Sequence, residues 1–356
     1  MRVRVSRWGM LYWEGPHLVW DDYLGQRRLP IAVNTERLLR LFADWRSLEA
    51  INELTNESEA LSRWQRVAAQ LVDADVLVVE GSPRDVQERH LLDGWGPWMP
   101  PARGLHFSTR IGRTARSATQ EEQDAAFDAK LAIAAPPPAF KQTPGAPRVP
   151  LPAAVLPDVD FATVLNGRRS HRSFGQQPIQ LAQVATLLQT AAGPAPGYHE
   201  QLRDRHQTTF KTSPSAGGRH PTELYPVIRN VAGLESGVYH YAAGDHALER
   251  LRGPVDDATA VELCSEQPWV AHAGMLLFYT SFFRRGQFKY TNPRGYRALF
   301  LDVGHLSQTV FLLATGLGLR MTFIGVIRDE YVEEVLGLDL AEEFVVGCAV
   351  IGTEPA

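Results

Sequence analysis

The chain has 356 residues, 44% of them hydrophobic and 21% charged, with a formal net charge of −4. That length allows a large core divided over two domains. The weakly acidic balance gives no support for non-specific binding to nucleic acid or to an anionic membrane surface. The two cysteines, Cys264 and Cys348, belong to no paired motif, which argues against a disulfide framework or a zinc site; no metal site is expected.

Arg2, Arg4 and Arg7 open the chain, but no long apolar run and no small-residue cleavage site follow. Neither a signal peptide nor a run of about twenty apolar residues able to span a bilayer is read, and the cytoplasm is the expected location. Two strands are expected at 10–13 and 17–20, joined by turn chemistry at Gly15-Pro16. Asn34 is expected to cap a helix carrying Leu38, Leu39, Leu41 and Phe42. Ser47 would cap a second helix over 48–54. In a third, 61–72, Trp64, Val67, Ala68 and Leu71 follow helical spacing. An apolar strand over 76–79 stops at Gly81-Ser82-Pro83.

This order of hairpin, three helices and strand resembles the PqqD-like peptide-recognition modules, which implies a winged-helix-like domain over 1–90. A packing appendage accounts for the same pattern. DNA binding fits less well, because Glu36, Asp44 and Glu49 dilute Arg37, Arg40 and Arg46.

Residues 136–157 hold eight of the 24 prolines, including Pro136-Pro137-Pro138. Such a stretch favours extended chain and excludes a regular helix or central strand. It reads as a linker or surface arm closing a connecting segment, 91–157, ahead of a domain over 158–356. There Leu181, Val184, Leu187, Leu188 and Ala191 mark a helix ended by Gly193, and 238–241 with 248–251 read as a hairpin. Buried strands are expected at 275–280 and 344–351. Between them Leu299, Val303, Leu306, Val310, Leu313 and Leu317 give a long helix, 296–317, a broad apolar stripe. The fold class is α+β, an open sheet flanked by helices.

Three clusters are candidates for chemistry. Arg168, Arg169, Ser170 and Arg172 lie within five positions; guanidinium forks and a hydroxyl suit a phosphate monoester, although a solvated basic turn has the same composition. Ser215, Gly217, Gly218 and Arg219 lie in a run of small residues whose backbone can approach a flat ligand; a plain flexible loop is the alternative. Lys289 and Tyr290 precede the long helix and suit acid–base work if their pKa values are shifted. Gly304 inside that helix costs about 1 kcal/mol relative to alanine, so something is expected to approach it closely. His305 beside it reads equally as a core histidine.

Together these segments resemble the nitroreductase fold and, within it, the SagB/McbC-type azoline dehydrogenases, over about residues 158–356. The resemblance is carried by Arg168 to Phe174, by Ser213 to Pro226, and by Lys289-Tyr290 with Arg294 to Arg297 and Leu301 to Leu306. Trp95-Gly96-Pro97-Trp98 with His106 to Arg110 resembles a segment preceding the catalytic domain in that group. The resemblance implies a central, mostly antiparallel sheet and FMN in a cleft at a homodimer interface. It places Arg168, Arg169, Ser170 and Arg172 on the phosphate and ribityl. It places Ser215, Gly217, Gly218 and Arg219 over the flavin, and the main chain of Thr322, Ile324 and Gly325 near the ring. Lys289 and Tyr290 match the catalytic pair. The implied reaction is oxidation of a thiazoline or oxazoline to the azole, on a peptide or carrier-bound substrate, within reach of a cyclodehydratase complex. One departure concerns the phosphate: simple nitroreductases often add a basic residue near the C-terminus, where this chain reads Gly352-Thr353-Glu354-Pro355-Ala356. Two other readings stay open, an NAD(P)H-fed reductase of nitro, quinone or dehydroamino acid groups, and a non-catalytic leader-peptide scaffold.

Overall fold

A computed structural model describes residues 1–195 and 209–356. The chain divides into two compact units, 1–116 and 117–356. The stretch 91–157, read above as one connecting segment, is therefore shared between them.

In chain order the first unit comprises β1 (Arg2–Val5), β2 (Gly9–Glu14), β3 (His17–Asp22), β4 (Arg27–Ile31), α1 (Glu36–Leu41), β5 (Arg46–Ser47), α2 (Ser58–Asp73), β6 (Leu77–Val79), α3 (Pro83–Trp95) and α4 (Pro100–Ser108). Two three-stranded antiparallel sheets form, in the orders β5-β1-β6 and β2-β3-β4. Leu38, Phe42, Ala68, Leu71 and Leu77 pack with Val3 and Trp20 in its main core. The hairpin, the helix at α2 and the strand at β6 stand where the pattern put them. Residues 48–54 form a 3₁₀ helix instead of an α-helix, capped by Ser47 accepting from Glu49 N. Asn34 lies inside a 3₁₀ turn and does not cap α1. β1 escapes the sequence reading because its alternate residues are arginines. Arg4 is nonetheless buried, with Glu88 at 2.9 Å and Asp85 at 3.2 Å. Burial of a charge is tolerated because it is paired.

The second unit continues with α5 (Gln120–Leu131), β7 (Arg148–Pro150), α6 (Phe161–Gly167), β8 (Ile179–Gln180), α7 (Leu181–Ala192), β9 (Thr222–Ile228), β10 (Val231–Ala232), β11 (Gly237–Ala242), β12 (Ala247–Arg252), α8 (Asp257–Leu263), β13 (Met275–Phe282), α9 (Arg284–Lys289), α10 (Gly295–Gly316), β14 (Arg320–Ile324), α11 (Asp329–Leu336) and β15 (Glu343–Gly352). Among the described residues the main sheet has seven strands in the order β14-β15-β13-β9-β11-β12-β7, every neighbouring pair antiparallel. The fold is α+β, as expected. Side chains alternate across a pleated strand. Met275, Leu277 and Tyr279 therefore face one layer, with α7 and α10, while Leu276 and Phe278 face the other, with α8 and α11. Both faces are dry, so β13 is a continuous apolar run rather than an alternating one.

The Pro-rich stretch is not only a linker. Its β7 adds the outermost strand, consistent with proline at a sheet edge, and Arg148 pairs with Glu249 at 2.7 Å. Lys141 pairs with Glu343, and its Nζ donates to Tyr225 Oη at 2.8 Å. α10 is, by length and composition, apolar enough to cross a membrane, contrary to the expectation that no such segment exists. It packs into the domain core through Leu299, Val303, Leu306, Val310, Phe311 and Ala314.

Candidate active site

The sequence-selected residues gather at two stations along α10. The first lies beside β14, the edge strand. After α6 the chain runs extended past this edge, with Ser170 bridged to Met321 and His171 N donating to Met321 O at 2.9 Å. The Arg168 guanidinium lies 4.8 Å from the centre of the Phe311 ring. Arg169 Nη1 donates to Asn166 O and Arg168 O, both at 2.8 Å. Arg169, Ser170 and Arg172 are exposed, and Arg168 is half-buried. Among the described residues none of the three guanidinium groups meets a carboxylate. Three cations within five positions that meet no carboxylate leave guanidinium groups available to an anion. Burial and then the Arg320 charge lower the pKa of His171, which sits among them. The side chains of Thr322 and Ile324 are buried in the sheet, so only their backbone can meet a ligand, whereas Gly325 is exposed.

The second station is built from the loop 213–220, α9 and the start of α10. Asp302 on α10 fixes the loop: its Oδ2 accepts from Ser215 Oγ at 2.6 Å and its Oδ1 from Ala216 N at 3.2 Å. Ser215 Oγ in turn accepts from His220 N at 2.9 Å. Burial raises the pKa of Asp302, and the bonds from Ser215 and Ala216 oppose it. Gly217 and Gly218 then take φ of +61° and +64°, a region that L side chains rarely enter. Gly217 lies close against Lys289 and Tyr290. A Cβ there would stand 2.4 Å from Tyr290 Oη and 3.0 Å from Lys289 Nζ. Burial raises the pKa of Tyr290, with the Arg219 charge opposing. Arg219 is buried and its Nε donates to Arg285 O at 3.3 Å. So Ser215, Gly217, Gly218, Arg219, Lys289 and Tyr290 come together as one group.

Asp302 and Phe311, which mark the two stations, are nine residues apart on α10, a rise of roughly 13 Å. The face between them carries exposed Gly304, His305 and Gln308. Apart from its own helix, no heavy atom of the described residues comes within 4 Å of a Cβ built on Gly304, so the close approach expected there is not found within the described chain. His305 is exposed, not in the core, and its Nδ1 lies 3.3 Å from Pro214 O.

Several residues of this site escape the sequence reading. Arg285, on α9, pairs with Glu223 at 2.5 Å. Glu223 also contacts His240 Nε2 at 3.0 Å, and His240 Nδ1 contacts Glu249 at 3.0 Å. This buried line of alternating basic and acidic side chains ties α9 to three strands. Burial alone would raise Glu223, but Arg285 and His240 outweigh it and hold it near about 2. Burial would likewise lower His240, and its two glutamates raise it instead. A glutamate inside an otherwise apolar strand is the signal available in sequence. Burial also draws Lys211, behind the loop, down to about 8 against the pull of Glu223.

Beside Tyr290 opens a cleft of about 1190 Å3, lined by Pro137, Pro138, Phe282, Tyr290, Tyr296 and Phe344 among others. Tyr296 and Phe344 rings lie 5.9 Å apart. The residues fit the flavin that the resemblance implies. Guanidinium groups that meet no carboxylate suit its phosphate, and the glycine loop brings its backbone against Lys289 and Tyr290.

The profile of the nitroreductase family matches residues 165–353. A nitroreductase-family protein of Methanocaldococcus jannaschii is 33% identical over 187 residues, which cover 51% of this chain and 87% of that one. The trifolitoxin-processing protein TfxB of Rhizobium leguminosarum bv. trifolii is 34% identical over 137 residues, 36% of each chain. The microcin B17-processing protein McbC of Escherichia coli is 30% identical over 137 residues, covering 35% of this chain and 48% of its own. Among solved structures, a nitroreductase-family protein from Anabaena variabilis shares the fold, with a TM-score of 0.54 and 24% identity over 72% of this chain and 47% of that one. This chain thus spans less than half of each toxin- or microcin-processing relative.

Proposed function

The chain belongs to the nitroreductase family, and from that membership we propose that it is an FMN-dependent dehydrogenase. Its reaction would oxidise a thiazoline or oxazoline in a peptide to the aromatic azole during natural-product biosynthesis. The similarity to two peptide-processing proteins supports a peptide substrate. The observation that carries the reading is the close approach of Gly217 to both Lys289 and Tyr290, which puts two proton-handling groups against the glycine loop.

In this reading Arg168, Arg169, Ser170 and Arg172 hold the phosphate and ribityl. The backbone at Thr322, Ile324 and Gly325 and the loop from Ser215 through Gly217 and Gly218 to Arg219 border the ring, with the two stations completed by a second subunit of a homodimer. Bound FMN supplies a two-electron acceptor, which dioxygen reoxidises. The substrate ring loses a proton from one carbon and a hydride from its neighbour. Tyr290, raised by burial, keeps its phenol proton at neutral pH and donates a hydrogen bond to the ring heteroatom, and the ring proton leaves through the Lys289–Tyr290 pair, Lys289 serving as base only in its neutral amine form. The cleft walled by Tyr296 and Phe344 receives the flanking peptide. The N-terminal unit would act as a leader-peptide module, and a cyclodehydratase would deliver the azoline.

The experiment is spectroscopic and kinetic. Purified protein should carry a yellow chromophore and convert a thiazoline peptide to a product lighter by two hydrogens, measured by mass spectrometry. Lys289→Ala should keep the chromophore and lose turnover. Full turnover in that variant removes Lys289 from the mechanism. Rapid bleaching by NADPH without peptide reverses the direction of the reaction.

A further inference from the structure

Six residues cannot sustain a helix through their own hydrogen bonds, so the position of Lys289 and Tyr290 depends on what grips α9. At the helix start the grip is Arg285, whose side chain is buried. Besides Glu223, Nη1 donates to His220 O at 2.8 Å and Nε to Pro138 O at 2.7 Å. At the other end the last carbonyls of a helix have no intrahelical partner. Lys130 Nζ meets them, donating to Phe288 O at 2.9 Å and Lys289 O at 3.3 Å. Lys130 stands in the last turn of α5, whose first turn is fixed by a reciprocal capping box between Thr119 and Glu122. One turn before Lys130, the Phe127 ring meets Phe288 edge-on, 5.4 Å between centres. A cation at a helix C-terminus is favoured by the dipole as well as by the hydrogen bonds.

α5 lies upstream of the span the family profile matches, 165–353. The grip is therefore supplied from outside that span.

We propose that Lys130 is a positioning residue for the Lys289–Tyr290 pair, holding the end of α9 so that both side chains stand against Gly217. Its catalytic consequence rests on the reading of that pair given above. Lys130 touches none of the residues assigned to the flavin, so it acts through the main chain of α9 alone.

The test uses the full flavin-loaded chain with Lys130→Met, which keeps the length and removes the donors, and Lys130→Arg, which restores them. Hydrogen exchange is followed at the Tyr290 amide, bonded to Gly286 O at 2.8 Å. Lys130→Met should exchange roughly ten-fold faster there, with the chromophore retained. Turnover of a thiazoline peptide should fall about 10- to 100-fold, in kcat and not KM, since a displacement near 1 Å is enough for such a loss. Lys130→Arg should recover both. Unchanged exchange in Lys130→Met overturns the proposal. So does faster exchange with turnover within two-fold of the unmodified chain, or failure of arginine to restore. An unmodified chain with no azoline turnover would overturn the assigned reaction and the catalytic role with it, while the exchange data still decide whether Lys130 grips α9.

Discussion

Alanine at Gly217 perturbs the contact on which the assignment of the site depends. At φ of +61° an L-residue costs roughly 1–2 kcal/mol. The new Cβ would also stand 2.4 Å from Tyr290 Oη and 3.0 Å from Lys289 Nζ, well inside the carbon contact distance of about 3.5 Å. Both atoms end flexible side chains, so the overlap is relieved by swinging them away and not by moving backbone. The stability loss is then the conformational term alone, and for a unit of this size it lowers the melting temperature by about 2–8 °C. Turnover should suffer more, because the groups that move are the ones proposed to handle the proton. A displacement above 1 Å corresponds to about a 100-fold loss. Thermal melting by circular dichroism, flavin absorbance and steady-state conversion of a thiazoline peptide measure the three quantities. A Gly217→Ala protein that melts lower but turns over within two-fold of the unmodified chain would refute the placement of Lys289 and Tyr290 at the reacting ring.

Four further outcomes follow from the geometry. Arg168→Ala and Arg172→Ala should each weaken FMN about 10- to 100-fold, the value of one charge-assisted hydrogen bond; fluorescence titration with unchanged affinity would put the phosphate elsewhere. Glu223→Ala leaves Arg285 without its carboxylate and His240 with one of two, and should cost about 3–5 kcal/mol in urea unfolding; a loss under about 1 kcal/mol would mean the buried line of charge is not a support. Acid should destabilise the second unit in two windows. Glu223 and Glu249, each held near about 2, contribute stability above about pH 4.5 that is lost as pH falls toward 2. His220, lowered to about 3 by burial and by Lys211, adds a loss from about pH 6.5 downward because only the unfolded chain takes up that proton. His240 works the other way, stabilising below about pH 6.5 and ceasing to do so above its raised value. Urea midpoints that do not move between pH 7 and 4 would contradict these assignments. Gly304→Leu on the exposed face of α10 should abolish the proposed homodimer in sedimentation if that face is its contact; a dimer that survives the leucine would place the contact on another face.

Legibility tracked the source of each element's stability. α7, α10, β11, β12, β13 and β15 were readable because their apolar periodicity is local and strong. β9 and β14 were not, since Glu223, Pro226 and Arg320 interrupt the pattern and are satisfied only by partners far away in the chain. Asp302 was visible as a residue of the long helix, yet its role in fixing Ser215 and Ala216 depends on a loop 86 positions away. The stretch 136–157 read as a linker because proline composition reports what a segment cannot form, and says nothing about an edge that will accept it.

From the sequence by itself came the family resemblance, the α+β class and the three clusters of chemistry, because backbone periodicity and residue type act over a few positions. The tertiary structure decided which clusters meet. It joined the glycine loop to Lys289 and Tyr290, and the arginine run to the edge of β14. Both choices are set by packing on α10 and by buried charges such as Glu223 and Arg285, whose pairing lowers an otherwise prohibitive desolvation cost. That cost depends on distances in space, and no local pattern of residues encodes it.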